Sequence, residues 1–514
     1  MTETLPFDRL CRLDNFGHSI RSAAFLYHAS GADSVHDVLQ LARRHGMSVA
    51  LRGAGRSYGD AALNAGQIVL DTTRMNRILD WRPDIGVVRV EPGVTIQQLW
   101  KHVIEDGWWP PVVPGTMLPT LGGALAMNIH GKNNVRAGTL GEHVEEFTAL
   151  LPTGEAVTCT PTRHGDLFHS IIGSAGLLGV FVSITLRLRR IHSGNLRVHA
   201  WTAPNLGKLL TDFDRLTTAH DYLVAWVDAT ARGRGAGRGQ LHSADYLEAG
   251  ADPAPAHSLR VEHQAAADTF LGIVSRSSLR LPLRLVMNNA GMTAINAAKY
   301  HYSCALQRDA HYLQPLVGFN FLLDFVPGWE RAYGARGMIQ HQSFVPRNAA
   351  RSAFAEIIRL SQEYGMPAYL GVVKRHRRDD FLFSPGIDGY SLALDFKVTH
   401  RNRAGLQSLA DEMTKVVLEA GGRFYFAKDS TLTSEVAARY LGTESIQRFR
   451  ALKRRCDPEN ILQTSLHRRL LRPLIEESSR ADTAARIGPG VPGTEAEHDP
   501  HHHHRHGSQR ITRP

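Results

Sequence analysis

Residues 52–66 read RGAGRSYGDAALNAG, with glycines at 53, 55, 59 and 66 beside an Arg, a Ser, a Tyr and an Asp. A stretch this poor in side chains lets the backbone approach a ligand closely. It follows the strand-like SVALRG, which invites comparison with the Gly-rich turn of a dinucleotide fold. The spacing Gly53, Gly55, Gly59 is GxGxxxG, however, and DAALNAGQIVLD runs straight into another strand. The dinucleotide fingerprint needs a helix to open there and point its N-terminus at the pyrophosphate. That reading is excluded. What survives is a loop whose backbone N–H groups can converge on phosphate oxygens.

Two further loops of the same kind follow. Residues 112–143, VVPGTMLPTLGGALAMNIHGKNNVRAGTLGEH, carry glycines at 115, 122, 123, 131, 138 and 141; in IIGSAGLLGVFVSITLRLRRI, Gly173, Gly176 and Gly179 introduce an apolar strand. Three small-residue loops attached to β structure suit an elongated ligand lying along the backbone. From about Ser34 to Ile191 the spacing predicts α+β structure: helices over VHDVLQLARRHG and TIQQLWKHVIEDG, strands over SVALRG, IVLD and GVVRVEPG. Between about Asn195 and Gly421 the texture becomes β-rich, with YLVAWVDA, FNFLLDFV, MIQHQSFV, AYLGVVK and YSLALDFKV read as strands of a largely antiparallel sheet. The insert TARGRGAGRGQ, with Arg232, Arg234 and Arg238, is expected to be a mobile loop. After Gly422 the style of the first region returns, and the tail from about Glu476, ending in HHHHRHGSQRITRP, is expected to be disordered.

The chain has 514 residues, 43% hydrophobic and 21% charged, with a formal net charge of +10. Its length exceeds what one core normally supports, so two domains, or one domain interrupted by another, are expected. Positive charge is compatible with an anionic substrate or surface, but no helix-turn-helix, finger or RNA-binding pattern is present, which argues against nucleic acid. Cys11, Cys159, Cys304 and Cys456 are scattered without metal or disulfide spacing, and no metal site is expected. MTETLPFDRL lacks the features of a signal peptide and no run of 18 apolar residues occurs, so a cytoplasmic protein is expected, with peripheral membrane association left open.

GAGRSYGDAALNAG, PGTMLPTLGGALAMNIHGKN, RAGTLGEHV, GWERAYGARGMIQHQSFVP and YFAKDS together resemble the FAD-dependent decaprenylphosphoryl-β-D-ribose 2′-oxidases of mycobacteria and actinomycetes, within the vanillyl-alcohol-oxidase (PCMH-type) flavoproteins. The resemblance spans about residues 10–470. It implies an FAD-binding domain made of 1–194 and 422–475, a substrate-binding domain over 195–421 built on an antiparallel sheet, and a tail from 476 to 514.

The resemblance assigns Gly53, Ala54, Gly55, Arg56, Ser57, Tyr58, Gly59 and Asp60 to the pyrophosphate loop. Gly115, Thr116, Thr120, Gly122, Gly123, Asn128, His130 and Tyr425 would line the flavin, and Gly179 and Ile184 the adenosine half. Lys132, Gln340, Gln342, Lys374, Asp395, Tyr425 and Lys428 would face the substrate; Gln340 and Gln342, two apart on a strand, share a face. No His or Cys stands in the early loop where a covalent flavin link would form, so FAD is expected to be noncovalent. Where mycobacterial members have an Asn and a Cys, this sequence has Ser391 and Ala393, so capture by Cys-directed nitroaromatics should fail.

The implied reaction is oxidation of a secondary hydroxyl, most directly the 2′-OH of a polyprenylphosphoryl ribose. Lys428 would stabilise the developing alkoxide; His130, with an ordinary pKa of about 6.5, or Tyr58 would pass on the proton. Lys132, Lys374 and the Arg232–Arg238 loop are candidates for the phosphate, and FNFLLDFV with Trp226 for the lipid. An NADH-dependent short-chain reductase would complete an epimerisation. The alternative is a flavin oxidase or dehydrogenase acting on a soluble polyol, aldonolactone or secondary-metabolite sugar.

Overall fold

The computed structural model describes residues 5–265, 269–270, 274–307 and 309–476. The tail and its histidine run lie outside the described residues. A four-stranded sheet opens the chain in the order Leu10–Asp14, Arg21–His28, Ile68–Asp71, Val49–Arg52, the last two pairing in parallel. Helix Ala32–Arg44, which buries Val35, Val38, Leu39 and Ala42 at helical spacing, carries the chain from Arg21–His28 to Val49–Arg52, the two strands that run parallel to Ile68–Asp71 on either side of it. Between Arg52 and Ile68 there is no helix. The quoted stretch is therefore a loop joining two neighbouring strands.

A five-stranded antiparallel sheet follows, ordered Ile78–Arg82, Val87–Val90, Val180–Arg187, Val144–Leu150, Ala156–Cys159. Helix Ile96–Val103 is fixed by a reciprocal cap: the Thr95 hydroxyl accepts from the Gln98 amide while Gln98 Oε1 accepts from the Thr95 N–H. The largest sheet has eight strands in the order Asp309–Pro315, Asn195–Ala203, Gly239–Tyr246, Tyr222–Val227, Leu370–His376, Gly389–Lys397, Met338–Pro346, Arg423–Phe424. Helices Leu206–Leu216, Ala350–Glu363 and Arg403–Glu419 pack on it through apolar stripes. Alternation along each strand sends one set of side chains to these helices and the other into a cavity.

Two expectations change. FNFLLDFV forms no strand; helix Leu316–Asn320 and a 3-10 turn Leu322–Phe325 replace it. Asp324 accepts from the Thr116 hydroxyl at 2.6 Å and the Met117 N–H at 2.7 Å, which pins the segment as a turn against the second glycine loop. The Arg-rich insert is a tight turn rather than a free loop, because Arg238 is tied to the buried Asp228 at 3.0 Å and lies over Tyr300.

The returning segment does not begin as a separate layer. Strand Arg423–Phe424 is the eighth strand, with Ser343 opposite Phe424. Helix Ser434–Cys456, kinked at Gly442, then leads to a bridge between Leu462 and Val49 of the first sheet. Lys453 locks this return: its buried ammonium donates to Leu177 O (2.8 Å), Leu462 O (2.6 Å) and Asp457 (2.7 Å). All four cysteines are free. Among the described residues no helix is long and apolar enough to cross a membrane.

Candidate active site

The three glycine loops and the open face of the eight-stranded sheet enclose one cavity of about 590 Å³, within the range of small-molecule and cofactor sites. Gly53 to Tyr58 form one wall; Gly115, Thr116, Thr120, Gly122 and Gly123 form the second; Ala175, Gly176, Val180 and Phe181 form the third. These walls touch only because side chains are missing. A Cβ on Gly53 would sit 2.1 Å from the Thr120 hydroxyl, and one on Gly59 would sit 1.6 Å from the Asp429 carbonyl oxygen. The Tyr58 N–H donates to Ala427 O at 2.8 Å, so the first loop is tied directly to the turn that carries Lys428.

The fourth wall is a grid of cross-strand neighbours. One row runs Ser391, Lys374, Val224, His242 and the next Gln342, Ala393, Val372, Trp226; beyond them Gln340 and Leu370 flank Asp395. Leu392 and Leu394, between the cavity-lining positions 391, 393 and 395, are fully buried. The grid is polar beside Lys428 and apolar in the middle, which suits a ligand with a hydrophilic head and a greasy continuation.

Three lysines converge here. Burial, with Lys374 nearby, brings the Lys132 amine down to about 7, and burial brings Lys374 down to about 8. Lys132 donates to the Phe319 backbone oxygen. The Lys428 ammonium stands 3.6 Å from the centroid of the Tyr58 ring and, among the described residues, meets no hydrogen-bond acceptor. Burial and Lys374 lower its pKa while Asp395 works the other way. Asp395 is itself raised by burial and held back by Gln340, which donates to it at 2.5 Å, and by Lys428. Charges removed from water this way are costly unless a ligand completes them.

His130 lies deep in the same cluster, its ring edge-on to His376 and Tyr425 and its Nε2 3.2 Å from the Gln342 amide nitrogen. Burial, followed by Lys374, His376 and Lys428, pushes the imidazole well below its ordinary value. The imidazole is therefore held neutral and is a weaker base than an unshifted one, because burial and three neighbouring cationic or protonatable groups oppose its protonation. Tyr58 is likewise held as the neutral phenol, chiefly by burial and Asp395.

Other expected residues are not at the cavity. Asp60 forms a two-point ion pair with Arg469, which also binds Asp429, so both carboxylates brace the loop. Asn128 accepts from the Gly141 N–H at 2.8 Å and shapes the turn before His130 instead of lining the space. Gly179 and Ile184 are packed away, with Gly176, Val180 and Phe181 in their place. Arg232, Arg234 and Arg238 do not line the cavity either. Sequence reasoning missed His376, which holds Ser391 Oγ at 2.8 Å, and Lys299 and His242 at the far end. The period-2 pattern could have found His242, opposite Val224; nothing local marks the other two.

A dinucleotide fits these walls. The three loops offer backbone without obstructing side chains, and Gln340 Oε1, Asp395 Oδ2 and Tyr425 OH are buried at the cavity without a hydrogen-bond partner among the described residues. Such orphaned atoms are what a bound polar ligand would satisfy.

Comparison with known proteins agrees. Residues 23–160 match the family of the FAD binding domain. The chain is 31% identical to decaprenylphosphoryl-β-D-ribose oxidase of Mycolicibacterium smegmatis over 476 residues, covering 89% of this chain and 97% of that protein. It is also 31% identical to D-lactate dehydrogenase of Anaerostipes hadrus over 32% of this chain and 36% of that one. A putative D-arabinono-1,4-lactone oxidase of Neurospora crassa is 26% identical over 30% of this chain and 27% of its own length. The chain is an FAD-dependent oxidoreductase and belongs to the decaprenylphosphoryl-β-D-ribose oxidase family.

Proposed function

We propose that the protein oxidises a secondary hydroxyl of a phosphorylated, polyprenyl-linked ribose, at the 2′ position, to the keto sugar. One observation carries this reading: Lys132, Lys374 and Lys428 face a single cavity that holds one carboxylate, Asp395, and continues into the apolar patch of Val224, Val372 and Trp226. A phosphate supplies the missing negative charge and a lipid covers the apolar patch. The region of the eight-stranded sheet would act as the substrate domain inserted into the FAD-binding part of the chain.

FAD, held noncovalently between the 53–58, 115–123 and 175–181 segments, would supply the hydride acceptor. The protein's own residues manage the rest. Lys428, drawn toward neutrality by burial and steadied by Asp395, takes the hydroxyl proton as the C–H bond breaks. Once charged, it holds the carbonyl oxygen that forms. Gln340 fixes Asp395, Gln342 fixes neutral His130, and Lys132 and Lys374 receive the phosphate. Tyr58, kept as a phenol beneath Lys428, shields the amine from water.

Anaerobic flavin bleaching separates this reading from its alternative. Polyprenylphosphoryl ribose should reduce the bound flavin within seconds while free polyols and aldonolactones leave it oxidised. Bleaching by the soluble compounds and none by the phosphorylated lipid would replace this function with that of a polyol or lactone oxidase, a direction also open through Ser391 and Ala393.

A further inference from the structure

At the outer edge of the eight-stranded sheet, strand Asp309–Pro315 pairs antiparallel with Asn195–Ala203, and His199 and His311 are direct cross-strand partners. Side chains so placed have Cβ atoms about 4.5–5.5 Å apart, close enough to reach one ion together. The two imidazoles stack, with 4.1 Å between ring centroids and 8° between planes. Asp309 comes two residues before His311 and so shares its face. One oxygen of its carboxylate stands 2.5 Å from His199 Nε2 and 3.8 Å from His311 Nε2. Each of the three residues offers one ligand atom, and these atoms lie within 4.8 Å of one another.

The cluster is held in place and stands apart from the active site. The His199 ring stacks on Trp201 as well as on His311, 4.7 Å away at 29°, and Trp201 is fixed in turn by donating its Nε1–H to buried Asp212 at 3.1 Å. An imidazole already oriented by packing gives up little freedom when it takes an ion. Ala200, not His199, is the cross-strand neighbour of the cavity-lining His242. Alternation therefore puts the cluster on the face of the sheet turned away from the cavity. Arg197, two residues from His199 on that same face, stands opposite Asp245 and acts on that carboxylate. Asp309 keeps 76% of its side chain in water, so an ion can approach from the open side.

We propose that His199, Asp309 and His311 form a binding site for one divalent transition metal of the zinc class, which staples the edge strand Asp309–Pro315 to Asn195–Ala203. Two imidazoles and one carboxylate suit Zn²⁺, Ni²⁺ or Cu²⁺, whereas Mg²⁺ and Ca²⁺ call for oxygen ligands. Zinc bonds of about 2.0–2.2 Å set the ligand atoms about 3.3–3.5 Å apart, which side-chain rotation reaches from the spacings of the cluster. Three protein ligands leave the remaining coordination to water. The cysteine spacing gave no sign of such a site because its ligands are histidines and an aspartate brought together across 110 residues of chain. The stapled strand runs directly into helix Leu316–Asn320 and the turn Leu322–Phe325, whose Asn320, Leu322, Leu323 and Phe325 border the cavity.

The test is equilibrium dialysis of the full FAD-loaded chain against Zn²⁺, with bound metal counted by elemental analysis. The histidines at 501–504 and 506 offer imidazoles of their own, so every chain compared keeps them and the readout is a difference. The wild type should hold one Zn²⁺ per chain more than His199→Ala or His311→Ala, and Asp309→Asn should weaken that ion about tenfold or more. An excess of Mg²⁺ should displace none of it. Cu²⁺ in place of Zn²⁺ should quench the fluorescence of Trp201 at the same stoichiometry, and Trp201→Phe should remove that part of the quenching while the ion still binds. Each variant should keep its flavin and its melting temperature in the presence of a chelator; His199→Asn and His311→Asn replace an alanine variant that fails to fold. Equal zinc content in the wild type and the folded variants, or quenching unchanged by His311→Ala, overturns the proposal and leaves a hydrogen-bonded edge cluster. No substrate is needed, so the outcome is independent of which sugar bleaches the flavin.

Discussion

Lys428 and Lys453 both lie in the returning C-terminal segment and both are buried, yet they are opposites. Lys453 spends its three protons on Leu177 O, Leu462 O and Asp457; Lys428 faces the Tyr58 ring and an open cavity. The first is an ion whose surroundings are complete without any ligand. The second is incomplete, together with Gln340 Oε1, Asp395 Oδ2 and Tyr425 OH. The difference separates a charge that holds the fold from a charge held ready for chemistry, although burial lowers the pKa of both.

Substitution should break the comparison most sharply at Lys453. Lys453→Met leaves Asp457 buried and uncompensated, so unfolding should cost about 3–5 kcal/mol less, read from a urea melt. Lys428→Met should hardly lower stability, since it removes a desolvated charge with no acceptor. Lys428→Ala should instead slow substrate reduction of the flavin by about 10²–10³-fold with FAD retained, measured by anaerobic stopped flow.

A pH series sharpens it further. Lys374 at about 8 and Lys428 below its ordinary value bind protons more weakly in the fold than near the unfolded value of 10.5. The unfolded chain therefore carries more protons across the window from about 8 to 10, and stability of the FAD-free protein should rise with pH there, by up to about 1.4 kcal/mol per unit per group. Lys374→Met should flatten that slope. A melting temperature independent of pH would show these amines to be well solvated. The smallest effect is expected at Ser391→Ala, which frees His376 from one hydrogen bond and should change apparent substrate affinity by about 1 kcal/mol or less.

Much of this arrangement was legible in the sequence because it follows short-range rules. Glycine clusters marked the three walls, and period-2 patterns marked the strands that carry Gln340, Gln342, Ser391 and Asp395. The resemblance singled out Lys132, Lys374 and Lys428, which the fold brings to one cavity. What escaped depends on partners far away in the chain. FNFLLDFV has strand composition, and only Asp324 reaching Thr116 and Met117 turns it into helical turns. Asp60 looked like a ligand-loop residue because Arg469, its partner, lies some four hundred residues on. The lowered pKa of His130 was not legible either, because it is set by burial and by Lys374, His376 and Lys428, which no local window contains.

The most direct measurement is single-turnover reduction of the bound flavin by polyprenylphosphoryl ribose in the wild type and in Lys428→Ala and Lys428→Arg, each followed against pH. The wild-type rate should climb to a plateau as the amine deprotonates near neutrality, and both variants should hold FAD yet lose that limb and most of the rate. A variant that bleaches at the wild-type rate with the same pH profile would contradict the role given to Lys428 and the site built around it.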